Sequence, residues 1–180
     1  MIFRKACKSE EKAIMALYQS VIGTPFCTWD GSYPGEEEIR DDLSAESLYV
    51  LADNEELIGA ISVIPENEWD AFDCWTVREN AREFARVVIR PDHQHKGLSR
   101  LLVEGIIEEL QKLQADAIHI AVAKENIPAQ KLYAKTGFAQ TPSRLSGVAP
   151  LTTKQAIVLS RPYRTSQHRT SSLPLAAMSA

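Results

Sequence analysis

The sequence has few cysteines and no long hydrophobic run, and both scarcities exclude large classes of protein. Its 180 residues include three cysteines, at positions 7, 27 and 74. An odd number of cysteines at wide spacing suits neither a disulfide framework nor a zinc cluster, so we expect reduced thiols and no metal site. No apolar run approaches the roughly 20 residues that span a bilayer, and the first residues lack the pattern of a signal peptide. We therefore expect a cytoplasmic protein that does not enter a membrane.

Basic residues are scarce over most of the chain. Residues 1–140 hold 15 basic and 24 acidic side chains, a balance of −9, whereas residues 141–180 hold five basic and no acidic ones. Five scattered positive charges on an acidic protein do not form the clustered basic surface of a nucleic-acid-binding protein, so nucleic acid is not an expected partner. Residues 165–180 are dominated by Ser, Arg, Thr and Ala, which is typical of a polar tail that need not fold.

What the chain does contain is an ordered series of helix and strand patterns over residues 1–164, which predicts one domain. Two helices come first and a β-hairpin follows. A strand, a long amphipathic helix and a second strand come next, and this crossover predicts an α/β fold whose mixed sheet carries helices on both faces. The predicted helices cover residues 9–21, 35–43, 97–114 and 128–136, and the strands 48–52, 57–64, 83–90, 117–123, 138–140 and 155–160.

One connection in this series has the composition of an anion site. Strand 83–90 runs into a tight loop and then directly into helix 97–114, so that backbone N–H groups of the loop and helix start lack acceptors. Such groups bind anions, and a pyrophosphate fits them, although an ordinary polar loop has the same spacing. Gly97 lets phosphates approach the backbone. The residues expected at this site are Gln94, His95, Lys96, Gly97, Leu98, Ser99 and Arg100.

Two segments of the chain resemble one enzyme family. Residues 94–99, Gln-His-Lys-Gly-Leu-Ser, are similar to the acetyl-CoA loop of the GNAT N-acetyltransferases, Gln/Arg-x-x-Gly-x-Gly/Ala. Residues 126–138, Asn-Ile-Pro-Ala-Gln-Lys-Leu-Tyr-Ala-Lys-Thr-Gly-Phe, are similar to the family's Asn-x-x-Ala-x-x-Leu-Tyr-x-Lys-x-Gly-Phe signature. The resemblance implies a mostly antiparallel sheet with a central pair of splayed parallel strands. Ser99 departs from the loop pattern, which implies a slightly altered phosphate contact.

The resemblance also implies that acetyl-CoA is the acyl donor and that an acetyl group is transferred directly to a primary amine. The pantetheine arm would lie between strands 83–90 and 117–123. Backbone groups of Val88 and Ile89 would hold it, and an N–H near Val88 would polarise the thioester carbonyl. Asn126 and Ala129 would contact the cofactor, although an asparagine at this position is equally suited to cap a helix.

Acid–base catalysis would come from Tyr133 and Glu83. Tyr133 would also touch the cofactor and would protonate the departing thiolate, although a buried helix tyrosine can simply pack. An amine is mostly protonated at pH 7, and Glu83 would remove its proton, directly or through water, although a carboxylate at a strand end can simply be solvated. His119, in the other central strand, is expected to be a packed histidine.

The acceptor would bind beside the first loop, because aromatic rings together with a carboxylate suit a cationic amine. The same aromatics also suit a small satellite core. A small-molecule amine is the expected acceptor; a protein N-terminus or lysine, and a non-catalytic acyl-CoA-binding module, are the alternatives. Relatives of this kind often pair through their sheet ends, so a homodimer is also expected. The residues assigned to the acceptor are Phe26, Trp29, Asp30 and Tyr33, with Trp69 and Trp75 in the loop after strand 57–64.

Overall fold

A computed structural model describes residues 1–54, 56–64, 80–140 and 156–162, the side chains of 156–160 excepted. The predicted acceptor residues Trp69 and Trp75 and the tail 165–180 lie outside these ranges. The helices are α1 (Glu11–Gln19), α2 (Glu36–Ser44), α3 (Leu98–Lys112) and α4 (Ile127–Lys135). The strands are β1 (Ile2–Lys5), β2 (Leu48–Asp53), β3 (Glu56–Ile64), β4 (Ala81–Ile89), β5 (Ala117–Ala123), β6 (Ala139–Gln140) and β7 (Ala156–Pro162).

The strands form one mixed sheet in the order β1-β2-β3-β4-β5-β7-β6. All neighbouring strands are antiparallel except β4 and β5, which are parallel. The connection between these two strands contains the crossover helix α3, as a parallel pair requires. This confirms the predicted mixed sheet with a single parallel pair at its centre. The predicted elements are present, with ends shifted by one or two residues, as is usual for boundaries read from sequence.

Strand β1 was not expected from the sequence. It is four residues long, its ends are exposed, and it pairs with β2 from Ile2↔Ala52 to Lys5↔Tyr49. The ring of Phe3 stacks on that of Tyr49, with centroids 5.5 Å apart. A four-residue segment is too short to show an alternation of apolar and polar side chains, so it becomes a strand only through its pairing with β2.

Each face of the sheet has its own hydrophobic core. Helices α1 and α2 cover one face, where Ile14, Leu17 and Tyr18 of α1 are buried at helical spacing. Helices α3 and α4 cover the other face. The sequence pattern of α3 places Leu98, Leu101, Leu102, Ile106 and Leu110 on one apolar stripe, and these are buried except Leu101, which is 51% exposed. The buried stripe instead includes Val103 and Ile107, because the helix presents the next row of side chains to the sheet.

The parallel pair separates soon after it begins. Strands β4 and β5 pair at Ala81↔Ala117, Arg82↔Ile118 and Glu83↔His119, and then continue to Ile89 and Ala123 without further pairing. A bulge in β4 lies just beyond the last pair, since Ala60 and Ser62 of β3 face Val88 and Ala85. A bulge bends its strand and increases the local twist, and this bend directs β4 away from β5. The result is a gap between the two central strands.

Gly59 on β3 leaves no room for a side chain against β4. A Cβ added there would lie 2.6 Å from Ile89 Cδ1 and 2.8 Å from the Val88 carbonyl oxygen. We expect Gly59→Ala to lower the free energy of unfolding by about 1–3 kcal/mol, because the backbone of β4 must shift to admit the methyl group. Urea denaturation measures the change. Gly31→Ala is the matched control, since a Cβ at Gly31 meets nothing within 4 Å; equal stability of the two variants would contradict the close contact.

Candidate active site

The loop between β4 and α3 is an open cradle of backbone N–H groups. After a 3-10 turn at Pro91–His93, His95 and Gly97 adopt left-handed φ angles of 61° and 79°. The N–H groups of residues 95–99 have no acceptor within the described part of the chain. Successive N–H groups in such a conformation, at the start of a helix, form an anion-binding concavity. A Cβ at Gly97 would meet no atom within 4 Å, so the concavity is open to solvent. The donor set fits a pyrophosphate.

Two of the polar side chains predicted to bind the anion form hydrogen bonds to other groups of the protein. Gln94 donates through Nε2 to the Ile89 carbonyl oxygen at 3.1 Å, which ties the loop to the end of β4. The Arg100 Nε donates to Glu104 at 2.7 Å, one turn further along α3. Lys96 is exposed and has no ion pair within the described residues. The backbone N–H groups of residues 95–99, with the Lys96 side chain, are therefore the main anion-binding groups. Ser99 is half-buried in the first turn of α3.

The gap between β4 and β5 exposes backbone groups of β4. The Arg90 N–H donates to the Ile58 carbonyl oxygen of β3 at 2.8 Å, and Ala60 is the partner of Val88. Because successive N–H groups of a strand point to opposite sides, the Val88 N–H also faces β3. The N–H groups of Val87 and Ile89 then face the gap. The donor predicted near Val88 is thus better placed at Val87, while Ile89 keeps its predicted place.

Tyr133 lies on the face of the sheet that α3 and α4 cover, beside the part of β4 where the gap begins. It is 4% exposed, and its ring packs against Phe84 of β4 and Phe138, with centroids 5.7 and 5.8 Å away. Its hydroxyl has no hydrogen-bond partner among the described residues. Burial raises the pKa of the Tyr133 phenol well above its usual value of 10.0, so the group is protonated at neutral pH. A buried, protonated phenol can act as a proton donor.

The start of α4 uses both residues that the second signature assigns to the cofactor. Asn126 is the N-cap, and its Oδ1 accepts from the Ala129 N–H at 3.1 Å. Between cofactor contact and helix cap, which the sequence left open, the geometry shows the cap. By fixing the first turn of α4, the cap also sets the position of Tyr133, about two turns after Asn126.

Glu83 and His119 are partners in the last residue pair before β4 and β5 separate. Their neighbours Phe84, Ile118 and Ile120 belong to the core under α3 and α4, so Glu83 and His119 point to the opposite face. Glu83 is 9% and His119 1% exposed. Glu83 is therefore a buried carboxylate at the narrow end of the gap rather than a solvated one. Tyr133 and Glu83 approach the gap from opposite faces of the sheet.

The four acceptor residues of the first loop differ in their surroundings. Trp29 packs edge-on against Tyr18, 5.3 Å away, and belongs to the core under α1 and α2, as the packing alternative predicts. Asp30 Oδ1 accepts from the N–H and hydroxyl of Ser32 at 2.7 and 2.6 Å. These bonds lower the pKa of Asp30, so its carboxylate stays charged. Phe26 and Tyr33 are 51% and 40% exposed.

A buried polar cluster on this face was not predicted. Arg86 of β4 forms a two-point ion pair with Asp42 of α2, at 2.9 and 2.6 Å. Ser62 of β3 donates to the same carboxylate at 2.6 Å, and Arg86 Nη1 donates to the Tyr33 hydroxyl at 3.2 Å. A sequence signal existed, because Asp42 occupies an inward position between Ile39 and Leu43 on α2, where an unpaired charge would be costly.

The described residues contain neither a cluster of metal ligands nor a membrane-spanning helix. No group of three or more His, Cys, Asp or Glu side chains lies close enough to hold a metal ion in the described ranges. Among the helices that the structure describes, none is both long and apolar enough to cross a bilayer.

Comparison with known proteins agrees with this geometry. The model of the acetyltransferase (GNAT) family matches residues 14–138. A sequence comparison with curated proteins finds no match. The ribosomal-protein-S18-alanine N-acetyltransferase from Escherichia coli has a similar structure, with a TM-score of 0.67 and 20% identity over 89% of this chain and 92% of that one.

Two further solved structures show the same fold. Salmonella typhimurium yncA, a proposed acetyltransferase solved with its cofactor acetyl-CoA, has a TM-score of 0.68 and 22% identity over 90% of this chain and 93% of that one. A proposed phosphinothricin N-acetyltransferase has a TM-score of 0.69 and 21% identity, over 89% of this chain and 97% of that one. With the family match covering more than half of the sequence, the chain belongs to the GNAT acetyltransferase family and is an acyltransferase that uses acetyl-CoA.

Proposed function

We propose that this enzyme acetylates the primary amine of a small molecule by direct transfer. The observation that carries the proposal is the position of Tyr133 and Glu83 on opposite faces of the β4–β5 gap, which leads away from the N–H cradle. An acyl group lying in the gap would have a proton donor on one side and a proton acceptor on the other.

Each step is assigned to residues of this chain. Acetyl-CoA, when bound, supplies an acetyl group activated as a thioester. The N–H groups of residues 95–99 hold the pyrophosphate, and the Val87 N–H donates to the carbonyl oxygen on which negative charge develops. Glu83 takes a proton from the incoming ammonium group, and the free amine then attacks the thioester carbon. As the C–N bond forms, the C–S bond breaks and Tyr133 gives a proton to the departing sulfur; the second proton that the attacking nitrogen loses restores the tyrosine.

The described part of the acceptor loop supports a compact cationic acceptor. Phe26 and Tyr33 offer exposed rings, and between them Asp30 carries a negative charge that its turn stabilises. Aromatic faces beside a carboxylate attract an ammonium group. The proposed phosphinothricin N-acetyltransferase among the structural relatives is named for a small-molecule amine, which agrees with this proposal.

Glu83→Gln tests the proposed base. We expect kcat/KM for the amine to fall about 100-fold at pH 7, because general bases typically contribute 10²–10⁴-fold. The deficit should shrink toward about pH 10, since the unprotonated fraction of the amine rises tenfold per pH unit below its pKa of about 10.4. Initial rates at a series of pH values measure both effects. Glu108→Gln, an exposed carboxylate on α3, is the control; parallel profiles for the two variants would remove Glu83 from the mechanism.

A protein acceptor is the second candidate, because the Escherichia coli relative is named for acetylating an alanine of a ribosomal protein. A thiol-release assay with acetyl-CoA, a panel of small amines and short peptides distinguishes the two acceptors. Turnover with small amines alone supports the proposal, and turnover with peptides alone replaces it. If calorimetry shows acetyl-CoA binding but no acceptor is turned over, the chain is a non-catalytic acyl-CoA-binding module. A homodimer and a cytoplasmic location stay predictions within this proposal.

A further inference from the structure

Arg86 stands at the bulge of β4, where the strand turns away from β5. Ala85 faces Ser62 and Val88 faces Ala60, so Arg86 and Val87 together oppose a single residue of β3. Arg86 has a left-handed φ of 52°, a backbone conformation that is unfavourable for a residue other than glycine. Interactions of its side chain must therefore hold the bulge in this form.

The Arg86 side chain has a complete set of such interactions. Its guanidinium and the Asp42 carboxylate are 8% and 9% exposed, and both carboxylate oxygens accept from it, Oδ2 at 2.9 Å and Oδ1 at 2.6 Å. Ser62 also donates to Oδ2, so the carboxylate is fixed from β3 as well as from β4. A planar two-point pair fixes direction as well as distance, which a lysine cannot reproduce.

The third contact of Arg86 leads to the first loop. Nη1 donates to the Tyr33 hydroxyl at 3.2 Å, and the Tyr33 N–H in turn donates to Asp30 at 3.3 Å. The loop that carries the exposed rings and the charged carboxylate is thereby tied to the residue directly before Val87. One side chain thus connects the proposed acceptor loop with the backbone that borders the gap.

We propose that Arg86 is a positioning residue for acetyl transfer: its ion pair with Asp42 sets the direction of the Val87 N–H, and its bond to Tyr33 places the first loop beside that group. This inference rests on the proposed function, in which the Val87 N–H donates to the thioester oxygen. Arg86 itself touches neither reacting group. Its effect is to align two parts of the site that belong to different elements.

Arg86→Lys separates alignment from charge, because lysine keeps the positive charge and loses the two-point geometry. We expect kcat to fall at least about tenfold, since the loss of one aligned donor or a displacement of about 1 Å has effects of this size or larger. The preference for acetyl-CoA over CoA, taken as the ratio of their Kd values by calorimetry, should fall toward one, because CoA has no thioester oxygen. A role in stability alone would lower the melting temperature and leave this ratio unchanged.

Arg82→Lys is the matched control, because Arg82 is also on β4 and its side chain donates to the Ala81 carbonyl oxygen rather than to Asp42 or the first loop. The Arg82→Lys variant should keep the wild-type ratio of the Kd values for CoA and acetyl-CoA. Ser62→Ala, which removes one donor to Asp42, should change the ratio in the same direction as Arg86→Lys but less, and serves if the lysine variant does not fold. Wild-type ratio and kcat in the folded variants would overturn the proposal.

Tyr33→Phe tests the link to the loop, because it leaves the ion pair intact. We expect KM for the amine to rise about fivefold, the size of one lost hydrogen bond of about 1 kcal/mol, with an unchanged ratio of Kd values. An unchanged KM would overturn the loop part of the inference. If the wild-type enzyme binds acetyl-CoA but acetylates no amine, the proposed function fails, whereas the ratio of Kd values still decides the role of Arg86.

Discussion

Replacing Gly97 with glutamate is expected to abolish measurable acetyl-CoA binding, with an affinity loss of at least about 100-fold. Gly97 has a φ of 79° and lies in the middle of the N–H cradle, with open space where a side chain would point. Glutamate would fill that space and place a negative charge where the pyrophosphate binds. Two charges about 4 Å apart near a protein surface repel each other by up to about 4 kcal/mol, which exceeds the free-energy change of a 100-fold loss. Calorimetric titration with acetyl-CoA measures the effect.

Gly23→Glu is the matched control for this experiment. Gly23 follows α1, has a φ of 78°, and also has no atom within 4 Å of its Cβ position. The backbone strain and the added charge are therefore the same, but the anion cradle is elsewhere. We expect this variant to bind acetyl-CoA with the wild-type Kd. Equal loss of affinity in both variants, or normal affinity in a folded Gly97→Glu protein, would contradict the assignment of the cradle.

Replacing Tyr133 with phenylalanine is expected to lower kcat by about 100-fold and to change the Kd for acetyl-CoA by less than about threefold. The substitution removes only the hydroxyl, which makes no hydrogen bond to other described residues, so the packing of the ring on Phe84 and Phe138 is retained. The lost rate is that of protonating the departing thiolate, for which general acids contribute about 10²–10⁴-fold. Single-turnover rates, compared with Kd from calorimetry, separate the two quantities.

The pH dependence of the wild-type rate gives a second view of Tyr133. A proton donor is lost as the pH rises through its pKa, and burial raises this pKa above its ordinary value. The rate should therefore show no decline due to Tyr133 below about pH 10. Tyr49→Phe, at a buried tyrosine that stacks on Phe3, is the control for the loss of a buried hydroxyl. A fully active Tyr133→Phe enzyme would remove Tyr133 from the mechanism.

The sequence predicted those features that depend on short-range patterns. Helix α3 has an apolar stripe and β5 an apolar run, and both appear where the pattern places them. The cradle could be predicted as well, since Gly97 at the start of a helix is a local property. The capping role of Asn126 was equally local, but the sequence could not decide between a cap and a cofactor contact, because the same side chain suits both.

Other features depend on long-range pairing, which a sequence does not display. Strand β1 exists only through its pairing with β2. The bulge at Arg86 requires one extra residue relative to β3, which no single strand pattern reveals. The ion pair of Arg86 with Asp42 joins residues 44 positions apart. A charged residue at an inward helix position predicts that a partner exists, but it does not say which one.

The early separation of β4 and β5 also affects how the sheet holds together. In the described residues, the backbone ladder between strands β1–β4 and the group β5, β7 and β6 consists of the pairs Ala81↔Ala117, Arg82↔Ile118 and Glu83↔His119. Because this ladder is short, we expect its amide hydrogens to exchange through local opening more readily than those in the long ladders of β2–β3 and β5–β7. An acyl donor that lies between β4 and β5 and contacts both strands would replace the backbone pairing that the two strands lack there. Its binding energy would add to the cohesion of the two halves, so that the protein is most stable as a single sheet when its cosubstrate is present.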